Sequence, residues 1–251
     1  MCRHLAYVGP PTTLSALLLD PPHSLLRQSH APADMRGGGT VNADGFGAGW
    51  YPPDLGGEAV RYRSASPMWS DAAFAALARA TRSAAVLASV RSATTGMPVT
   101  VTAAAPFTEG RWLFSHNGVV RGWPGSVAGV AAALPVTDLL TLDAPTDAAL
   151  LWALVRHRLR AGDDPGAALA GVVTAVAAVA PGSRLNLLLT DGTAIWATAH
   201  DHALSVRADG ACALVASEPP DDHPDWSEVP DRHLVVARPG RPPHLTTTGA
   251  R

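Results

Sequence analysis

The sequence predicts an α+β fold with mainly antiparallel sheets. Strand-like segments fill the first half, two helical segments follow between residues 146 and 180, and strand-like segments return after them. The later strands are joined too tightly for the helical crossovers that parallel neighbours require. Asp191-Gly192, a strong hairpin signal, separates two apolar runs.

The first element is the apolar run 5–8, stopped by Gly9-Pro10-Pro11. Residues 20–45 are rich in Pro, Gly, His and Asp and read as a long loop, a lid candidate by its length. Residues 46–51 and 60–64 read as strands around a Pro-Gly loop. Residues 71–81 are Ala-rich and helical, and 85–90 form a core strand ending on Arg91. Residues 112–115 form a strand that runs into His116-Asn117-Gly118, where Asn-Gly predicts a turn and Val119 and Val120 a return strand.

Thr146 reads as a helix N-cap, with Leu151, Val155 and Leu159 following at four-residue spacing. Arg156, Arg158 and Arg160 read as a solvated helix end, where the dipole favours cations. Asp164 caps a second helix with Pro165 in its first position. Residues 185–190, 194–199, 204–207, 211–217 and 233–237 read as strands, with Cys212 a small core residue. No repeat or long linker interrupts the chain, which reads as a single domain over 1–251.

Composition narrows the chemistry. Only 16% of the 251 residues are charged, against about 25% in an average soluble domain. All 19 basic residues are arginine, which excludes a Schiff-base lysine, a Ser-Lys dyad and a Walker A lysine. A net charge of −2 argues against a nucleic-acid partner held by a basic field. Two cysteines imply no disulfide framework and a reducing compartment. The start lacks the apolar stretch of a signal peptide. The longest apolar run, 14 residues over 167–180, is short of the roughly 20 that span a bilayer. The expectation is a cytoplasmic protein without a membrane partner. Gly45-Phe46-Gly47-Ala48-Gly49 enters a strand and is no dinucleotide fingerprint, and no Gly-x-Ser-x-Gly elbow occurs. His200-Asp201-His202 is the closest histidine pair and no His-Glu-x-x-His motif exists, so no metal and no cofactor are expected.

Four places can carry chemistry. If Met1 is removed, the Cys2 thiol lies beside its own α-amine. The amine pKa of about 7.7–8.0 suits it as a base for a thiol of about 8.5. On position alone, an incidental second-residue cysteine is the favoured reading of Cys2. Asn117 and Gly118 can aim an amide and a backbone N–H at one point, as an oxyanion hole requires, although most Asn-Gly pairs are only turns. Arg91 can clamp a carboxylate or can be a surface arginine. Asp147 opens a helix, an ordinary place for an acid, and can face a substrate ammonium.

Together these segments resemble the class II glutamine amidotransferases, a family of N-terminal cysteine hydrolases. The resemblance rests on Cys2, the stretch from Asn42 to Trp50, the stretch from Arg91 to Gly96, His116-Asn117-Gly118, Thr146-Asp147 and Ala216-Ser217-Glu218-Pro219, in that order. The start Cys2-Arg3-His4-Leu5-Ala6-Tyr7 and the tail from Ser217 to Arg232 are most similar to the stand-alone γ-glutamyl amidases of ergothioneine biosynthesis. Many glutamine-using members have tryptophan and histidine where this chain has Ser92 and Thr95, which mildly disfavours an ordinary glutaminase.

The resemblance implies a four-layer αββα sandwich of the N-terminal-nucleophile type, catalytic after loss of Met1. It implies Cys2 as nucleophile and Asn117 and Gly118 as the oxyanion hole. Arg91 would hold the substrate carboxylate, Asp147 its ammonium, and Thr94 and His116 would line the substrate site. The implied reaction is hydrolysis of a γ-glutamyl amide, foremost γ-glutamyl-hercynylcysteine S-oxide. A chain ending at Arg251 without a second catalytic domain favours hydrolase over amidotransferase. The alternatives are a glutaminase subunit of a two-chain amidotransferase and an inactive binding protein for γ-glutamyl metabolites. The oligomeric state stays open, a homo-oligomer included. Trp50, Tyr51 and Trp69 are candidates for packing a trimethylammonium group.

Overall fold

The computed structural model describes residues 2–34 and 41–249. Among these residues the strands form two antiparallel sheets. The first runs, edge to edge, β11 (Ser227–Glu228), β9 (Ser205–Ala208), β10 (Ala213–Ala216), β1 (Arg3–Thr13), β4 (Arg82–Val90), β2 (Phe46–Trp50) and β3 (Val60–Ser64). The second runs β13 (Arg241–Thr247), β12 (His233–Arg238), β8 (Ile195–Ala199), β7 (Arg184–Thr190), β6 (Trp112–Val119) and β5 (Phe107–Glu109).

Strand alternation sorts the core into three layers. From β1, Leu5 and Tyr7 face outward onto α1 (Leu14–Leu18), α2 (Leu25–Gln28) and α3 (Ala72–Ala80), meeting Leu14, Leu25 and Phe74. Ala6 and Val8 face inward onto Leu188, Ile195 and Val235 of the second sheet. The outer face of that sheet packs Leu187 and Leu189 on Leu151 and Val155 of α6 (Asp147–Arg160) and Val172 and Val173 of α7 (Pro165–Val179). The order helix, sheet, sheet, helix is the expected four-layer sandwich. Its middle layer is rich in alanine, so the facing sheets approach closely through small side chains.

Local signals explain the long elements. The Thr146 hydroxyl accepts from the Ala149 N–H at 3.2 Å, and the Asp164 carboxylate from the Ala167 N–H at 3.1 Å, each capping its helix as expected. Asp71 caps α3 through the Phe74 N–H at 2.9 Å. The Asp191-Gly192 turn joins β7 to β8, with Gly192 at φ +87°.

Several expectations need correction. Asn117-Gly118 makes no turn: both lie within β6, paired with Asn186 and Leu185 of β7. The missing Cβ of Gly118 serves close approach, since a Cβ there would sit 1.9 Å from the Arg184 carbonyl oxygen. β1 continues past Gly9-Pro10-Pro11 to Thr13, because its register against β4 shifts between Val8 and Thr12 and the prolines need no ladder hydrogen bond there. Prolines also hid β13, an edge strand where Pro242 and Pro243 are tolerated. The stretch 20–45 is not structureless: it carries α2, capped by Ser24. Residues 35–40 of that lid candidate lie outside the described residues. Arg156 and Arg160 are not simply solvated but share Asp138 at 3.2 and 2.9 Å. Cys212 lies just before β10, half-buried, with its thiol donating to Asp209 Oδ2 at 3.5 Å.

Gly47 carries a test of the sandwich. A Cβ there would meet the Ala105 carbonyl oxygen at 2.4 Å, backbone that cannot swing aside. Gly47→Ala is expected to cost about 1–3 kcal/mol in urea unfolding. Gly129→Ala, in α4 (Ala128–Ala131) with open space around it, should leave stability unchanged or slightly raised.

Candidate active site

Register gathers the motifs at one end of the sandwich. Arg3 pairs with Val90 and Val90 with Phe46, so Cys2, Arg91 and Gly45 lie side by side where these strands stop. The Arg91 N–H donates to Gly45 O at 2.8 Å, and the Asp44 N–H to Arg91 O at 2.9 Å. Asp44 Oδ2 accepts from the Ala93 N–H at 2.8 Å and fixes the segment after Arg91. The second sheet brings the end of β6 to the same place, and α6 brings its first residue.

Cys2, Arg91, Thr94, His116, Gly118 and Asp147 line one narrow cleft, about 40 Å³ in volume. The Cys2 thiol donates to Ser92 O at 3.7 Å. The Arg91 side chain is held by the carbonyls of Pro98 at 2.9 Å and Asp44 at 3.4 Å, both on Nη1. Asp147 accepts from the Val120 N–H at 3.0 Å and the Ala148 N–H at 2.8 Å. As the first residue of α6 it also sits where the helix dipole favours an anion. Among the described residues neither Arg91 nor Asp147 belongs to an ion pair. A buried cation and a buried anion that do not neutralise each other make a cleft complementary to a zwitterion.

The seventh expected site residue, Asn117, does not line this cleft. It projects from the alternate face of β6, fully buried, and donates from Nδ2 to Ser217 Oγ at 2.9 Å. One amide hydrogen remains for another acceptor. His116 Nε2 lies 3.0 Å from Arg184 O, and a carbonyl can only accept, so the proton is on Nε2. Trp50, Tyr51 and Trp69 are not cleft residues: Trp50 packs with the helix-side cluster, the Tyr51 hydroxyl donates to Arg111 O at 2.8 Å, and Trp69 meets His30 edge-on. A roomier groove of about 550 Å³, lined by Trp196, Arg238 and His244 among others, contains no cysteine or serine. Among the described residues no group of three His, Cys, Asp or Glu is placed to hold a metal ion.

Sequence reasoning gave no role to four residues that the structure places around Cys2. Asp44 and Glu218 lie in stretches that carry the resemblance, while Arg3 and His4 follow the nucleophile directly. His4 is buried between the sheets, with Nδ1 2.8 Å from Ser115 Oγ and its backbone N–H donating to Ser217 Oγ at 3.0 Å. Burial, reinforced by His116, His202 and Arg3, pushes its pKa down to about 3.

Comparison with known proteins agrees with this architecture. Residues 20–209 match the family model for class-II glutamine amidotransferases. The chain is 46% identical over 241 residues to the gamma-glutamyl-hercynylcysteine sulfoxide hydrolase of Mycolicibacterium smegmatis, covering 95% of this chain and 96% of that one. It is 42% identical to the protein of the same name from Mycobacterium tuberculosis, over 94% of this chain and 92% of the relative. A solved glutamine aminotransferase class-II domain protein from Silicibacter pomeroyi has the same fold, with a TM-score of 0.70 and 23% identity over 99% of this chain and 100% of that one.

His4 gives the fold a defined acid sensitivity. Its folded pKa lies below the ordinary value of 6.5, so as pH falls the unfolded chain takes up the proton first. Above about pH 6.5 the group is neutral in both states and has no pH-dependent effect. Between there and about pH 3 it removes about 1.4 kcal/mol of stability per pH unit. In urea unfolding at pH 7, 6, 5 and 4, the stability gap between wild type and His4→Gln is expected to narrow less between pH 7 and 6 and by about that amount per unit from pH 6 to 4. A gap independent of pH would contradict a neutral, buried His4.

Proposed function

The chain belongs to the class-II glutamine amidotransferase family, and from that premise we propose that it is an amidohydrolase cleaving a γ-glutamyl amide through a thioester on Cys2. The observation that carries this is the cleft itself. Arg91 and Asp147, each held by backbone groups and neither neutralising the other, share it with the Cys2 thiol. A γ-glutamyl group presents a free carboxylate and a free ammonium at one end and an amide at the other. Arg91 and Asp147 complement the first two, and Cys2 attacks the third. The named relatives, similar over nearly their whole length, support γ-glutamyl-hercynylcysteine sulfoxide as substrate. The reading has a small molecule as partner and the cytoplasm as compartment. Among the described residues no helix is long and apolar enough to cross a membrane.

The mechanism begins once Met1 has been removed. The α-amine of Cys2 takes the thiol proton as Sγ attacks the γ-carbonyl carbon. The resulting oxyanion is stabilised by the N–H of Gly118, the oxyanion-hole residue that lines the cleft. The C–N bond breaks, the amine returns its proton to the leaving nitrogen, and a γ-glutamyl thioester remains. Water then attacks with the amine again as base, the C–S bond breaks, and glutamate leaves as the thiol regains its proton.

A panel of γ-glutamyl compounds assayed for glutamate release tests the reading. The sulfoxide conjugate is expected to exceed glutamine in kcat/KM by on the order of 100-fold. The reverse preference would make the chain a glutaminase subunit. Intact mass should show Cys2 as the first residue, and Cys2→Ala should abolish turnover while leaving substrate binding near normal. Arg91→Gln and Asp147→Asn should each lower kcat/KM by roughly 100-fold, chiefly through KM, since each removes a charged partner of the bound zwitterion.

A further inference from the structure

Cys2 stands just outside the sheet. The first register pair of β1 is Arg3 with Val90, and among the described residues no backbone amide bonds the Cys2 carbonyl. A residue that starts a chain has one flanking peptide plane instead of two. The Arg3 end of that plane joins the ladder opposite Val90, and a side chain holds its carbonyl end: Arg3 Nη1 donates to Cys2 O at 3.1 Å.

Arg3 is itself held without slack. It is 1% exposed, its Nε donates to Glu218 Oε1 at 2.8 Å, and its Nη2 donates to Asp34 O. Glu218 Oε2 accepts the backbone N–H groups of Ala33 at 2.8 Å and Asp34 at 3.0 Å. The Glu218 carbonyl accepts from Gln28 Nε2 at 3.3 Å. One guanidinium thus joins three chain segments, with each of its three nitrogens donating to a different acceptor. Lysine, a point charge on a flexible stem, cannot reproduce that planar fork. A buried ion pair is weak evidence for stability, because an apolar pair of similar volume avoids the cost of desolvation. Its distinctive product here is a fixed direction for the Cys2 carbonyl.

We infer that Arg3, locked by Glu218, is a positioning residue that fixes the Cys2–Arg3 peptide plane and so sets how the thiol and α-amine of Cys2 project into the cleft. This rests on Cys2 as nucleophile. Among the described residues no hydrogen bond or ion pair joins Arg3 or Glu218 to Arg91 or Asp147. Loss of Arg3 therefore acts on the attack step, where misplacement by about 1 Å can cost on the order of 100-fold.

The test uses the full chain with the sulfoxide conjugate and glutamine as substrates. Arg3→Met/Glu218→Met removes both buried charges together, so neither is left unpaired. It should melt cooperatively, with kcat down by at least about 10-fold and KM within about twofold of wild type. Arg3→Lys should recover part of kcat. A folded double variant with wild-type kcat, or one whose KM rises in step with the loss of kcat, overturns the inference. If the double variant does not fold, Glu218→Gln, nearly isosteric, decides the matter: lowered kcat at constant KM supports the role and unchanged kcat overturns it. Cys2→Ala separates the two levels. Hydrolysis retained there removes the nucleophile itself, whereas an inert Cys2→Ala beside fully active Arg3 variants removes only the positioning role.

Discussion

The hydrogen-bond ladder on both sides of β1 is the constraint on which the site depends. β1 runs between β10 and β4 in the middle of the first sheet. Leu5 opposite Ala216 and Arg3 opposite Val90 fix where its N-terminal end emerges. Those two pairings bring Ser217 and Glu218 to one side of Cys2 and Arg91 to the other. The pairing of Phe46 with Val90 adds Asp44. A slip of one residue would turn Ala6 and Val8 outward and put Leu5 and Tyr7 between the sheets, where small side chains are needed. Core packing therefore enforces the same register that assembles the cleft.

Electrostatics at the cleft follow a division of labour. Arg91 and Asp147 are each satisfied by backbone groups, so each keeps its charge available to a ligand. Arg3 and Glu218 neutralise each other, so their charges serve geometry. Glu218 follows β10 and Arg91 follows β4, the two strands that flank β1 on opposite sides. His4, kept neutral by burial, adds a polar link between β1 and β6 without adding a charge behind the nucleophile.

Close backbone approach is the third ingredient, and glycine supplies it. At Gly118 the β6 backbone lies against the Arg184 carbonyl, and at Gly47 the β2 backbone lies against the Ala105 carbonyl of the loop before β5. This explains why Asn-Gly, a reliable hairpin signal in isolation, sits here inside a strand. The signal reports permissive backbone, and the tertiary neighbour decides whether that permission serves a turn or an approach.

The sequence by itself determined the fold class, the long helices and most strands, because caps, apolar spacing and turn residues act over a few positions. Thr146, Asp164 and Asp191-Gly192 show this directly. The family resemblance singled out Cys2, Arg91, Thr94, His116, Gly118 and Asp147, and the structure brings those six to one cleft. Asn117 was read as a turn residue offering its amide to an oxyanion hole, not as a strand residue whose amide is partly committed to Ser217. Arg3, Glu218 and Asp44 were visible only as letters within matching stretches. Their partners lie far along the chain, up to 215 positions between Arg3 and Glu218, and no local periodicity records such pairings. Tertiary structure alone decided them, because register and burial choose which distant polar groups must satisfy one another.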